Sequence, residues 1–263
     1  MKKHTLLFLA LGTLFILSCS NDAENDYNNR SLSFQQVKAQ IEVNGTTEGL
    51  DELLADLWLN DASGNSAKGG TDCATINYTE KNISVAYNKC TINGHILNGS
   101  LILTGDNINI GDETGTFVIR FNAFSFNGYF LEGTKSFTFD HSEKNKPVFT
   151  IITDISIKNP KGETLVHSGT KTLTYSFGPY LDGPNNEIGY ACVGEWDIVH
   201  NGVTYGFKIE KPLTGVLDCA YITAGVVALN VGEYTASLDF GQGVCDQVGT
   251  VTYPDGKSEE INW

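Results

Sequence analysis

The feature that most constrains this chain is a turn that keeps returning. "NGHILNGSLILT" (Asn93–Thr104), "NGYFLEGTKSFT" (Asn127–Thr138) and "KGETLVHSGTKTLT" (Lys161–Thr174) follow one template, a turn glycine and then a strand with apolar residues at every second position. The turn glycines Gly94, Gly128 and Gly162 are spaced by 34 and 34 residues, and Gly99, Gly133 and Gly169 by 34 and 36. Asn201–Pro212 and Asp255–Trp263 are degenerate copies. Asn-Gly and Asp-Gly are strong hairpin signals, because both central residues of a two-residue type I′ turn need positive φ, which Gly and Asn adopt at little cost. The repeat predicts stacked antiparallel hairpins, with about three short strands per unit, arranged as a meander or a β-sandwich.

Between the turns the apolar residues keep a period of two. Phe117, Ile119 and Phe121 alternate with Val118, Arg120 and Asn122. Phe149, Ile151, Ile155 and Ile157 share one parity, as do Leu173, Tyr175 and Phe177. Val203, Tyr205, Phe207 and Ile209 form the most regular run, against Thr204, Gly206, Lys208 and Glu210. Period two places one set on one face of a strand, so residues 73–263 read as an all-β domain of half-buried strands. At Phe124 and Phe126 the aromatic parity flips relative to Phe121, which predicts a bulge near Asn122–Ala123.

The residues before 73 have other patterns. Lys2 and Lys3 precede an apolar run from Leu6 to Leu17 that stops at Ser18-Cys19. A short basic start, an apolar stretch of about 7–15 residues and a small residue at the cut make residues 1–18 a secretory signal. The sequence Leu17-Ser18-Cys19-Ser20 resembles the lipobox of bacterial lipoproteins, which implies a lipidated Cys19 and a membrane anchor. Residues 19–30, "CSNDAENDYNNR", read as an acidic tether, and the acidic stretch resembles the surface-export signal of Bacteroidetes lipoproteins. Residues 31–60 predict two short helices. Ser33 and Gln36 fit a capping box ahead of Phe34, Val37 and Ile41, and Leu50, Leu53, Leu54, Leu57 and Trp58 form a one-face stripe. Residues 61–72, "DASGNSAKGGTD", are a linker by composition.

The cysteines fit the same plan. Cys73 opens and Cys90 closes one unit, while Cys219 opens and Cys245 closes another, in a compartment where disulfides persist. Cys73–Cys90 and Cys219–Cys245 are the pairs expected, with Cys192 left over and buried in a strand; the number of cysteines alone allows other pairings.

The C-terminal third carries a more specific signature. Gly202, Tyr205, Ile209, Pro212 and Leu213 precede Cys219, and Asp239, Phe240, Gly241, Gly243, Cys245 and Asp246 follow as "DFGQGVCD" ahead of a final Asp-Gly hairpin. This arrangement resembles the end of a large group of Bacteroidetes lipoproteins that have no assigned activity. Gln247 stands where Asn is usual, a change that a turn tolerates. The resemblance spans about residues 70–263 and implies an envelope location and an all-β fold, but no mechanism.

Composition and motifs narrow the function. A net charge of −14 argues against nucleic acid, and 41% hydrophobic with 18% charged residues argues against disorder. The chain has no G-x-S-x-G elbow and no H-E-x-x-H; His95, His141, His167 and His200 are scattered and read as turn or strand-surface residues. Asp140, Asp154, Glu195 and Asp197 read as solvated acids, so no catalytic residue is assigned. Gly105–Gly115 and Asp182–Glu187 are rich in oxygen ligands but fail a calcium-loop template, so no metal or cofactor is expected. Tyr180, Tyr190, Trp196, Tyr234 and Tyr253 are candidates for a face that stacks on sugar rings.

Two readings follow. One is a lipid-anchored, non-catalytic binder of a glycan or protein on the cell exterior. The other is a structural envelope protein whose sheet edges meet a partner chain. A carbohydrate-active enzyme comes third. A glycan binder should present an exposed aromatic cluster, whereas a structural protein should turn its aromatics inward and leave a strand edge unguarded.

Overall fold

The structure is a computed structural model that describes residues 47, 49–51, 54, 73–79, 82–92, 94–105, 113–143, 145–176, 189–216, 219 and 221–262. By internal contacts the chain divides into Met1–Ser31 and Leu32–Trp263, and every described residue belongs to the second unit. The signal segment, Cys19, the tether and the linker lie outside the described residues.

Thirteen strands run in chain order: β1 Ala74–Tyr78, β2 Asn82–Ile92, β3 His95–Thr104, β4 Thr114–Phe126, β5 Tyr129–Asp140, β6 Val148–Lys158, β7 Thr164–Ser176, β8 Gly189–His200, β9 Val203–Val216, β10 Ala224–Val231, β11 Tyr234–Gln242, β12 Val248–Thr252 and β13 Ser258–Asn262. Each pairs antiparallel with its chain neighbours, so one 13-stranded sheet has the order of the sequence. The all-β meander expected from the repeats is present. The repeat unit, however, is a hairpin of two strands of ten to thirteen residues, not three short ones. The second glycine of each template, which looks like an end in sequence, sits inside a continuous strand.

The tight turns follow from residue type. Asn127 and Gly128 have φ of 52° and 83°, and Asn201 and Gly202 have 51° and 77°, the double positive φ of a type I′ hairpin. Bends come from the strand-interior glycines. Gly99 has φ +88°, and a Cβ there would lie 2.7 Å from Phe124 Cα and closer still to the carbonyl of Ala123. Ala123, at φ 47°, is the bulge expected from the parity flip, and the β4–β5 register shifts between Arg120 and Phe124.

One face of the sheet is buried, as strand alternation requires. The alternating residues of β4 to β8 are buried along that face, including Phe117, Ile119, Phe137, Phe149, Ile151, Ile155, Leu173 and Tyr175. Phe117 stacks on Phe137 with centroids 5.2 Å apart, and Trp196 stacks on Phe207 at 5.1 Å. Five described residues ahead of the sheet, Thr47, Gly49, Leu50, Asp51 and Leu54, are helical. Leu50 and Leu54 are buried, which is worth about 1.5–3 kcal/mol for each leucine. The described residues thus support one short helical piece and not the two helices expected. Phe34, Val37, Ile41, Leu53, Leu57 and Trp58 lie outside them.

Both disulfides form as expected, Cys73–Cys90 with Cα atoms 5.3 Å apart and Cys219–Cys245 at 5.8 Å, and Cys192 is buried and belongs to neither. The first clamps β1 to β2, and the second joins the segment ahead of β10 to the one after β11. The first tie holds an end strand, β1, which pairs with a neighbour on one side only among the described residues; the second closes the β10–β11 hairpin, both of whose strands also pair outward, with β9 and β12. Each bond is expected to contribute about 2–4 kcal/mol, so a reductant should lower the melting temperature markedly. An unchanged melting curve would show that the ties are not needed.

Candidate functional site

Three residues break the apolar face. On β5, Lys135 shares its inward parity with Leu131, Phe137 and Phe139; on β7, His167 and Lys171 share theirs with Leu165, Leu173 and Tyr175. The register brings them together: Lys135 pairs with Thr153 of β6, which pairs with Gly169 of β7, midway between His167 and Lys171. Lys135, Thr153, His167 and Lys171 are all buried, so this is a polar island within the core.

Its electrostatics are specific. Lys135 Nζ donates to Asp51 Oδ1, an ion pair buried on both sides. Lys171 Nζ lies 4.0 Å from the centre of the Trp196 ring, a cation–π contact sheltered from water. His167 is 1% exposed, and neither of its ring nitrogens has a hydrogen-bond partner among the described residues; Trp196 Nε1 has none either. Burial, reinforced by the charges of Lys171 and Lys135, holds the His167 imidazole well below the usual histidine range, so it is neutral. Asp51, Lys171, Tyr190 and Cys192 line an adjoining cavity of about 10 Å³, room for about one water molecule.

A neutral buried histidine makes folding pH-dependent. In the unfolded chain His167 titrates near 6.5, whereas in the fold it protonates only at much lower pH. Between those two values the unfolded state binds more protons. Stability is therefore full above about pH 6.5 and falls as the pH drops below it, by up to about 1.4 kcal/mol per pH unit for this one group. His95 and His141, also lowered by burial, add in the same sense. Urea unfolding between pH 7 and 5 should show a slope that is shallower in His167→Phe; an equal slope would remove His167 as its source.

The other sequence-selected residues do not gather here. Tyr190 and Trp196 are 7% and 3% exposed on the inner face, and Tyr234 and Tyr253 are half-buried against the core, so these four do not form an open stacking face. The cause is strand parity, which turns the rings toward the sheet's own apolar side. Tyr180 lies outside the described residues. His167 corrects the reading of the histidines as surface residues. His95 stacks on Phe126 with centroids 4.7 Å apart, and its Nδ1 lies 3.0 Å from Asn127 Nδ2. Asp140 accepts hydrogen bonds from the Ser142 N–H and hydroxyl, and Asp154, Glu195 and Asp197 are exposed on the outer face.

In the "DFGQGVCD" segment, Asp239 accepts from the Gly241 N–H and Asp246 from the Val248 N–H, so both acids serve turns beside the second disulfide. A shallow groove of about 490 Å³ runs past Asp239, Val244, Asp246 and Thr250. No group of three or more His, Cys, Asp or Glu among the described residues is placed to hold a metal ion. Among them no helix is long and apolar enough to cross a membrane.

The sequence reading missed the inner patch; the signal that could have found it is a lysine, a histidine and another lysine at positions where the period of β5 and β7 calls for apolar side chains. Comparison with known proteins gives no match, whether with a family model, a curated protein or a solved structure.

Proposed function

We propose that this is a lipid-anchored protein of the cell envelope, facing the exterior, that works without catalysis by accepting a strand from a protein partner at the β1 edge. The observation that carries this reading is the contrast between the two ends of the meander. Among the described residues, β1 and β13 each pair on one side only. β13 presents exposed Glu259 and Glu260, charges of the kind that keep another strand away. β1, "ATINY", has no charged residue, and its Ile76 is 41% exposed. An uncharged edge is a template for strand addition, in which main-chain hydrogen bonds supply affinity. The inward aromatics favour a protein partner over a glycan, because no open stacking face is available among the described rings. The anchor rests on Lys2, Lys3, the apolar run and Cys19, and the outward face on the acidic stretch behind Cys19.

A photoreactive residue placed at Thr75 should yield one discrete adduct on living cells, and Ile76→Lys should abolish it while leaving the fold intact. An adduct pattern unchanged by Ile76→Lys would remove β1 as the docking edge. Cys19→Ala should release the protein from the membrane fraction. Protease added to intact cells should digest the wild type while a periplasmic control survives; protection would place the protein inside the envelope.

A further inference from the structure

The Asn-Gly pairs that shape the hairpins carry a reaction of their own. The main-chain nitrogen that follows an asparagine can attack the side-chain amide carbon and close a succinimide ring, and glycine, with no Cβ, leaves that approach open. The chain has five Asn-Gly pairs. Asn98–Gly99, Asn127–Gly128 and Asn201–Gly202 lie wholly among the described residues, and all three asparagines are exposed. The fold holds them differently. Asn98 Oδ1 accepts from the Lys89 N–H at 3.3 Å, and a Cβ on Gly99 would meet the Ala123 backbone. Asn127 is fastened to β3: its Oδ1 accepts from the Ile96 N–H at 2.9 Å, its Nδ2 meets His95 Nδ1 at 3.0 Å, and its own N–H donates to the Ile96 carbonyl at 2.8 Å. Swinging the Asn127 amide carbon toward Gly128 would break its side-chain ties. Asn201 Nδ2 instead lies 3.2 Å from Nε2 of His200, its own chain neighbour, and nothing lies within 4 Å of a Cβ placed on Gly202. The Asn127 and Asn201 turns share the same double positive φ, so ring closure asks the same backbone rotation of each. The side-chain ties make the difference.

We propose that Asn201–Gly202, in the turn between β8 and β9, is a site of spontaneous deamidation, with His200 as the proton donor to the departing ammonia and water as the co-reactant. The Gly202 nitrogen gives its proton to water and bonds to Asn201 Cγ. The Cγ–Nδ2 bond breaks as the protonated His200 imidazole supplies a proton to Nδ2, ammonia leaves, and the imidazole regains its proton from water. A water molecule then opens the succinimide and leaves aspartate or isoaspartate at position 201, with one more negative charge; nothing is oxidised or reduced. Isoaspartate lengthens the main chain by one carbon inside a two-residue loop. The double positive φ that sets His200 opposite Val203 then no longer fits, so the reaction loosens the β8–β9 turn once and does not reverse.

The test is peptide mapping by mass spectrometry of the purified protein, aged in neutral buffer and sampled over time. Position 201 is expected to convert about tenfold faster than position 127, or more, because the Asn127 side chain must first leave Ile96 and His95. Position 98 is expected to lag in the same way. A synthetic peptide of residues 124–131, which lacks those ties, should convert at Asn127 about tenfold faster than the folded protein does. His200→Phe is expected to slow position 201 by about tenfold and to leave position 127 unchanged. Equal rates at 201 and 127 in the unaltered protein overturn the proposal, and that comparison needs no variant to fold. A rate at 201 that His200→Phe leaves unchanged overturns the role of His200. None of these results bears on the adduct at Thr75, so the two readings fail separately.

Discussion

Replacing Lys135 by Met is expected to destabilise the fold by about 3–5 kcal/mol, the usual cost of removing one member of a buried ion pair. The Asp51 carboxylate would then lose its ion pair with Lys135, in an interior where Lys135 is 0% and Asp51 2% exposed. Met has nearly the length of Lys and leaves little cavity, so the loss would be electrostatic rather than steric. The companion is the double variant Lys135→Met/Asp51→Leu, which removes both charges and refills the space. Buried pairs replaced by apolar residues of similar volume are often neutral or stabilising, so the double variant should recover most of the loss. Urea unfolding of the two single variants and the double gives the coupling energy directly. Additive losses would mean that the pair is not a unit.

Gly99→Ala is expected to cost about 2–5 kcal/mol, whereas Gly94→Ala should cost only about 1–2 kcal/mol. Both glycines have positive φ, +88° and +81°, so both substitutions carry the same left-handed penalty. The difference is space. Nothing lies within 4 Å of a Cβ on Gly94, at a turn open to water. A Cβ on Gly99 would meet the backbone of the Ala123 bulge and lie 2.7 Å from Phe124 Cα, so two strands would have to part. Phe124 is fully buried and packs near Phe121 and Tyr87, hence the disturbance reaches the core. Thermal unfolding of the two variants side by side tests the argument, and equal losses would show that φ strain alone matters.

Much of this architecture follows from short stretches of chain. The I′ turns need Asn-Gly, the strands need period two, and the bulge at Ala123 was written in the parity of Phe121 against Phe124 and Phe126. The disulfides follow from Cys placed at the ends of two similar units. These signals act within a few residues of each other, where backbone sterics and side-chain alternation decide the outcome.

Sequence alone was therefore enough for an antiparallel all-β chain, its turns and the bend at Ala123, while the cysteine pairs it favoured among several needed the fold to decide them. Lys135, His167 and Lys171 stand on the otherwise apolar parity of β5 and β7, and the sequence reading passed over both lysines and placed His167 at a turn or strand surface. Tertiary structure alone decided what those residues do, because Asp51 stands 84 positions before Lys135 and no local rule couples them. Only the folded sheet settled that Tyr190 and Trp196 face inward, and that His167 is buried and neutral. Burial is a property of the whole face, and a pattern of period two says that one side is covered without saying by what.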